Sequence, residues 1–247
     1  MANLYYSPFG VQESDIQALS LSGFKFMERL ACDCGLIERQ CFNYIYQGII
    51  ATIIGQQLSD KAYQAILRKL PQSFFNNSAG LICSIKEHEL SLEKNGKRII
   101  PLSNSKVATL KCVAHKFASN VWNEYQLRKL NRSGRAELLS EVKGIGPWTI
   151  NMIEMFVFKN KNVFAKNDLG IKKAVLLLND VDESECSPKE IAALMDKYEH
   201  LALQSSRATI LSFYLWALNS LDKAKQETYY GSHKLKAFNG LTLCKLQ

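Results

Sequence analysis

Apolar residues recur at helical spacing along most of the chain. Between Ser14 and Leu30, apolar and polar positions alternate with a helical period, and Ser14 is placed as an N-cap. Cys41 to Ile54 is more apolar, with Phe42, Ile45, Ile49, Ile50, Ile53 and Ile54, and reads as a central buried helix. Ser59 to Leu70 is amphipathic and stops at Pro71. Ser105 to Ala118 lines up Val107, Leu110, Val113, Ala114 and Phe117 on one face. Further helices are expected from Arg135 to Val142, Pro147 to Phe158, Asp168 to Leu178, Pro188 to Tyr198 and Ala208 to Ser220. Strand signals are few: Lys97 to Leu102 is the tempting one, and Pro101 weakens it. Ser73 to Ser78 and Lys94 to Ser105 read as loops, and the tail from Lys223 to Gln247 lacks an apolar period and is expected to be poorly ordered. The fold class is therefore all-α.

Composition changes this picture in two ways. The 247 residues suffice for one large domain or two small ones, and 47% hydrophobic against 22% charged residues is an ordinary globular balance. The 31 Lys and Arg exceed the 23 Asp and Glu, for a net charge of +8, which suits a polyanionic partner such as nucleic acid. The seven cysteines are odd in number and several lie in apolar helical patterns, as in an intracellular protein with reduced thiols. Cys32-x-Cys34 is too tight for a usual zinc pair and has no second pair. Met1 to Gly10 has no apolar core behind a basic flank, so no secretory signal is expected. No stretch approaches the length of a membrane span, so no membrane partner is expected.

Two segments carry candidate chemistry. In Ser140-Glu141-Val142-Lys143-Gly144-Ile145-Gly146-Pro147-Trp148-Thr149, a short helix enters a glycine turn and Pro147 opens the next helix. The resulting helix N-terminus presents backbone N–H groups and a positive dipole end, a ready anion site. For a basic protein the natural anion is a DNA phosphate, although a helix–helix turn without a ligand has the same outline. In Val163-Phe164-Ala165-Lys166-Asn167-Asp168-Leu169-Gly170, Asp168 suits a helix N-cap. A carboxylate there also suits cleavage of an N-glycosidic bond, because it can stabilise oxocarbenium character and orient or deprotonate water.

The hairpin resembles the helix–hairpin–helix of the base-excision DNA glycosylases that carry a Gly-Pro-Asp loop, in the 3-methyladenine DNA glycosylase II branch, where it reads Val-x-Gly-Ile-Gly-Pro-Trp-Thr-Ala; Ile150 replaces the last alanine. The Asp168 segment resembles the family's Val-Phe-Pro-x-x-Asp-Leu-Gly-Leu-x-Lys-Ala, twenty residues after Trp148, with Ala165 in place of the proline. Ile53 to Ala62 resembles Ile-Val-x-Gln-Gln-Ile-Ser-x-x-Ala, and Arg207 to Trp216 resembles Arg-Ser-x-Ala-x-x-Tyr-Leu-Trp. Leu203 to Ser206 departs from the aromatic-rich loop that usually precedes that arginine.

The resemblance implies two helical domains with a cleft between them: a central barrel over residues 38–162, and a second domain from residues 1–37 and 163–247. It implies a monofunctional enzyme of base-excision repair that flips an alkylated purine, such as 3-methyladenine or 7-methylguanine, from double-stranded DNA and hydrolyses its bond to the sugar. Asp168 is the implied catalytic carboxylate. Trp216, Trp148, Tyr44 and Tyr46 are candidate base-pocket residues, each also a plausible core aromatic. Gln57 matches the wedge that fills the vacated stack, with Leu58 the apolar alternative. Lys143, Gly144, Ile145, Gly146 and Thr149 are the hairpin's DNA-contact candidates. Backbone carbonyls of Ser140, Val142 and Ile145 match those that hold a Na+ or K+ ion in the family.

Lyase relatives carry a Schiff-base lysine where Trp148 stands, so plain hydrolysis is expected, with no cofactor for catalysis. Only Cys186 and Cys244 lie near the C-terminus, so no iron–sulfur cluster is expected. A monomer located with the DNA inside the cell completes the expectation. The rival readings are a non-catalytic helix–hairpin–helix DNA-binding module and a glycosylase for oxidised or mismatched bases.

Overall fold

The computed structural model describes residues 6–70, 82, 93–94, 97–98 and 102–233. They are predominantly helical. The elements in chain order are β1 (Tyr6–Gly10), α1 (Glu13–Leu21), α2 (Phe26–Cys34), β2 (Glu38–Phe42), α3 (Ile45–Gly55), α4 (Asp60–Leu67), β3 (Glu93–Lys94) and β4 (Lys97–Arg98). Then follow α5 (Asn104–Ala118), α6 (Glu124–Lys129), α7 (Arg132–Ser140), α8 (Pro147–Phe156), α9 (Leu169–Asn179), a 3-10 turn (Glu183–Glu185), α10 (Pro188–Gln204), α11 (Ala208–Leu218) and α12 (Lys223–Glu227). Strands β1 and β2 pair, as do β3 and β4, the latter antiparallel with Glu93 opposite Arg98. No helix among the described residues is long and apolar enough to cross a membrane.

The chain forms two compact units. Among the described residues, one takes residues 6–9 together with those of Gln40–Lys159, and the other takes Gly10–Arg39 with residues 160–233. Residues 6–9 thus group with the central unit, whereas the family resemblance assigns them to the other.

Each unit is organised around one apolar helix. In the central unit that helix is α3, buried from Ile45 to Ile54 and packed by α4, α5, α6 and α8. Its first turn is capped from a distance: Glu124 Oε1 accepts the Ile45 N–H at 2.5 Å. In the second unit α11 is buried from Ala208 to Leu215 and packs on α1, α2, α9 and α10. Burying apolar surface of this extent is the main term favouring the folded chain.

Several sequence expectations change. The stretch from Ser14 to Leu30 is two helices, capped at Gln12 rather than Ser14. The Ser22 and Gly23 N–H groups return to Ala18 O and Ser20 O, and Phe24 is fully buried between the helices. The helix expected from Cys41 begins at Ile45, because Cys41 and Phe42 end a strand. Helix α6 and the strands β1 and β2 are too short to leave a periodic signal.

Within the tail, residues 223–233 are ordered. Asp222 caps α12, and the fully buried Tyr229 donates its hydroxyl to Asp33 at 2.5 Å beneath the Arg29 guanidinium. Ser73 to Ser78, Pro101 and the tail beyond His233 lie outside the described residues.

Candidate functional site

Asp168 is the N-cap of α9. Its Oδ1 accepts the N–H groups of Gly170 at 2.8 Å and Ile171 at 3.1 Å, and also the indole N–H of Trp216 at 2.8 Å. The capping and functional readings of this aspartate are therefore compatible: the cap bonds orient the carboxylate that chemistry would use. Trp216 also explains Gly170, since a Cβ there would lie 3.0 Å from its Cδ1 and 3.1 Å from Asp168 Oδ1. The indole stacks on Phe213 with ring centroids 6.2 Å apart.

Helix α11 holds the whole approach to Asp168 with one polar stripe. Thr209 Oγ1 donates to Asn160 O at 2.6 Å and accepts the Val163 N–H at 3.0 Å. Ser212 Oγ accepts the Ala165 N–H at 3.4 Å, and Asn219 Nδ2 donates to Gly170 O at 2.7 Å. With Trp216, these residues follow at intervals of three, four and three, the spacing of one helix face.

Ala165 stands where the resembled family has proline, and its N–H, which proline lacks, is used by Ser212. Sequence reasoning missed Thr209, Ser212 and Asn219. Their signal was available as polar residues at helical spacing in an otherwise apolar segment. Arg207 opens α11 and pairs with the buried Asp15 of α1. Leu203 and Gln204 end α10, and Ser205 and Ser206 turn the chain towards α11, with Ser206 at φ +56° and Leu203 O accepting from Asn162.

The glycine hairpin, in the central unit, joins α7 to α8. Its turn is closed by the Ile145 N–H on Val142 O at 3.0 Å. Gly144 has φ +99°, and a Cβ there would sit 2.2 Å from Thr109 Oγ1, so only glycine fits. Thr109 Oγ1 in turn donates to Lys143 O at 2.8 Å. Gly146 has an extended backbone, and a Cβ on it would meet nothing within 4 Å. Pro147 opens α8, whose first turn offers donors to an anion. The hairpin helices are locked by a buried bidentate pair: Arg135 Nε and Nη2 donate to Glu154 Oε1 and Oε2 at 2.5 and 2.8 Å.

The hairpin also binds the Gln-Gln turn. Gln56 Nε2 donates to Gly144 O and to Thr149 Oγ1, both at 2.8 Å. The next residue, Gln57, is exposed and left-handed at φ +57°. Leu58 instead packs partly buried against the apolar core of this unit.

Of the hairpin candidates, Lys143 and Gly144 are exposed, while the side chains of Ile145 and Thr149 are buried. Any ligand would reach Ile145 and Thr149 through the backbone. Ser140 is the last residue of α7. Its carbonyl lies at the negative end of that helix, where a cation is favoured, and Val142 O retains a second lone pair.

Asp168 and Trp216 are brought together. The other predicted pocket aromatics belong to the central unit: Tyr46 is a core ring packed edge-on against Phe117, Trp148 is half-buried on α8, and Tyr44 is exposed at the N-cap of α3.

No model of a known protein family matches the chain. Over 177 residues, 71% of this chain and 73% of the other, the sequence is 25% identical to DNA-3-methyladenine glycosylase 1 of Schizosaccharomyces pombe. The fold is similar to that of the solved S. pombe 3-methyladenine DNA glycosylase in complex with abasic DNA, with TM-score 0.68 and 22% identity over 84% of this chain and 97% of that one. It is also similar to the Clostridium acetobutylicum 8-oxoguanine glycosylase/lyase in complex with double-stranded DNA, with TM-score 0.54 and 16% identity over 85% and 72% of the two chains. The chain is homologous at low identity to 3-methyladenine DNA glycosylases. Its helical fold is shared by glycosylases of more than one base specificity.

Proposed function

We propose that this chain is a monofunctional DNA glycosylase of the 3-methyladenine type, which flips an alkylated purine from double-stranded DNA and hydrolyses its N-glycosidic bond. The observation that carries this reading is the Asp168 carboxylate, held by three donors at the head of α9 and touching the Trp216 indole. In the reaction the C1′–N bond breaks, the base leaves with the bonding electrons, and a water oxygen bonds to C1′ while its proton is released. Asp168 would stabilise the positive charge on the sugar and orient or deprotonate that water. An alkylated purine cation leaves as a neutral base, so no second acid is required. The Trp216 ring offers a π face to a cationic base or sugar.

Hydrolysis without a Schiff base fits the amines near the site. Trp148 stands where a lyase would carry lysine. Lys166, two residues before Asp168, is bonded to Glu199 at 2.7 Å and Asp196 at 2.9 Å, and these carboxylates raise its pKa. A cation held in this way is a poor nucleophile. The hairpin would bind a DNA phosphate without reading sequence, and the carbonyls of Ser140, Val142 and Ile145 would hold an alkali ion there.

A passive DNA clamp accounts for the hairpin but gives no role to the tethered carboxylate. The test incubates the pure protein with methylated duplex DNA and separates the products. Free methylated purine is expected, with strand breaks only after alkali and no protein–DNA adduct on borohydride treatment. Absence of free base from wild-type protein overturns the enzyme reading, and a borohydride adduct overturns the monofunctional one.

A further inference from the structure

The geometry points to Lys106 as a positioning residue for base flipping, one that holds the exposed Gln57 in its left-handed conformation through the end of α3. This inference rests on the glycosylase reading and deepens it. Lys106, on α5, is remote in sequence from the Gln-Gln turn. Its Nζ donates to Ile54 O at 2.9 Å and to Gln56 O at 2.6 Å, the carbonyls at and just beyond the last turn of α3. A cation on terminal helix carbonyls satisfies acceptors that lack intrahelical partners and opposes the negative end of the dipole.

The side chain of Gln56 is tethered separately, to Gly144 O and Thr149 Oγ1 of the hairpin. Gln56 is thus held at its carbonyl by Lys106 and at its amide by the hairpin. The next residue is placed at φ +57°, a region that non-glycine residues seldom occupy and that costs energy unless the surroundings enforce it. Gln57 packs nothing away: it is exposed, while the apolar Leu58 turns into the core. A left-handed residue with an exposed polar side chain, directly after the one bonded to the glycine hairpin, suits insertion into a base stack. Partial burial lowers the Lys106 pKa, as expected for an amine whose solvation has been replaced by two carbonyls.

The probe is a duplex with 2-aminopurine beside a tetrahydrofuran abasic analogue, whose fluorescence rises when an inserted side chain unstacks the reporter. Wild-type protein should raise it. Gln57→Ala should lose most of the rise. Lys106→Met should lose on the order of five- to tenfold in the fraction of complexes unstacked, the scale set by releasing a residue from a strained left-handed backbone. The double variant should be no worse than Gln57→Ala, because one residue acts through the other. Lys106→Arg should restore part of the rise.

A Lys106→Met signal equal to wild type, or losses that add in the double variant, overturns the inference and leaves the glycosylase reading intact. Full fluorescence from Gln57→Ala overturns the inference through the wedge itself. Should Lys106→Met fail to fold, Gln56→Leu removes the second tether and must show the same loss and the same non-additivity with Gln57→Ala.

Discussion

The indole N–H of Trp216 donates to Oδ1 of Asp168 at 2.8 Å, and the same ring closes over Gly170, where a Cβ would lie only 3.0 Å from its Cδ1. One tryptophan thus fixes both the orientation of the carboxylate and the start of the helix that carries it. Because Thr209, Ser212 and Asn219 extend this hold along the same face of α11, the Asp168 loop is positioned by tertiary hydrogen bonds as well as by its own turn.

Asp168→Asn retains an oxygen for the α9 cap but loses the charge. Base release should fall by about a thousandfold or more, with DNA affinity and thermal stability near wild type. Trp216→Phe removes one charge-assisted hydrogen bond worth about 1.5–3 kcal/mol, so kcat should fall roughly ten- to a hundredfold. Single-turnover release from methylated duplex measures both, and an Asp168→Asn enzyme of near wild-type turnover removes the carboxylate from the mechanism.

The two hairpin glycines should separate stability from binding. Gly144→Ala places a methyl against Thr109 at a positive φ and should destabilise by about 2 kcal/mol or more. Gly146→Ala meets nothing within the protein, so its melting temperature should hold. If a phosphate backbone approaches Gly146, that variant should bind undamaged duplexes of all sequences less tightly. Calorimetry and fluorescence anisotropy, repeated across salt concentration, distinguish the two.

Arg135 and Glu154 test how firmly the hairpin helices must be joined. Glu154→Gln leaves a buried guanidinium without its charge partner and should cost about 3–5 kcal/mol in urea unfolding. The double variant Arg135→Met, Glu154→Leu should recover much of that loss, since replacing a buried pair by apolar residues is often near neutral. A double variant as unstable as the single one shows that the pair is needed for more than neutralising its own charges.

His233 gives the fold an acid-sensitive point. Its ring packs among Phe24, Phe26 and Tyr198, and Nε2 is buried with no hydrogen-bond partner among the described residues. Burial, with the charge of Lys197 as a lesser cause, lowers its pKa from 6.5 to about 4. The unfolded chain therefore takes up the proton first. The stability from this site is complete above about pH 6.5 and declines as pH falls towards 4, at up to about 1.4 kcal/mol per pH unit. His233→Phe should flatten the urea-midpoint profile in that window, and an unchanged slope would assign the acid sensitivity to other groups.

The sequence by itself determined the helical class, because amphipathic periods of ten or more residues survive in any context that buries one face. It also determined the hairpin outline and the Asp168 cap, both local chemistry: glycine where the backbone turns, proline at a first helical position, aspartate before a helix. The short elements were not legible. Helix α6 spans six residues, and its Glu124 matters because it caps α3 from far along the chain.

Which residues hold the site was likewise decided by tertiary structure. Lys106 meets the end of α3 across about fifty positions, Thr209 meets Asn160 across a similar interval, and Gly144 is forced to be glycine by Thr109. A hydrogen bond between remote segments leaves no period in the sequence. It exists only once apolar burial has packed the helices that carry its two ends.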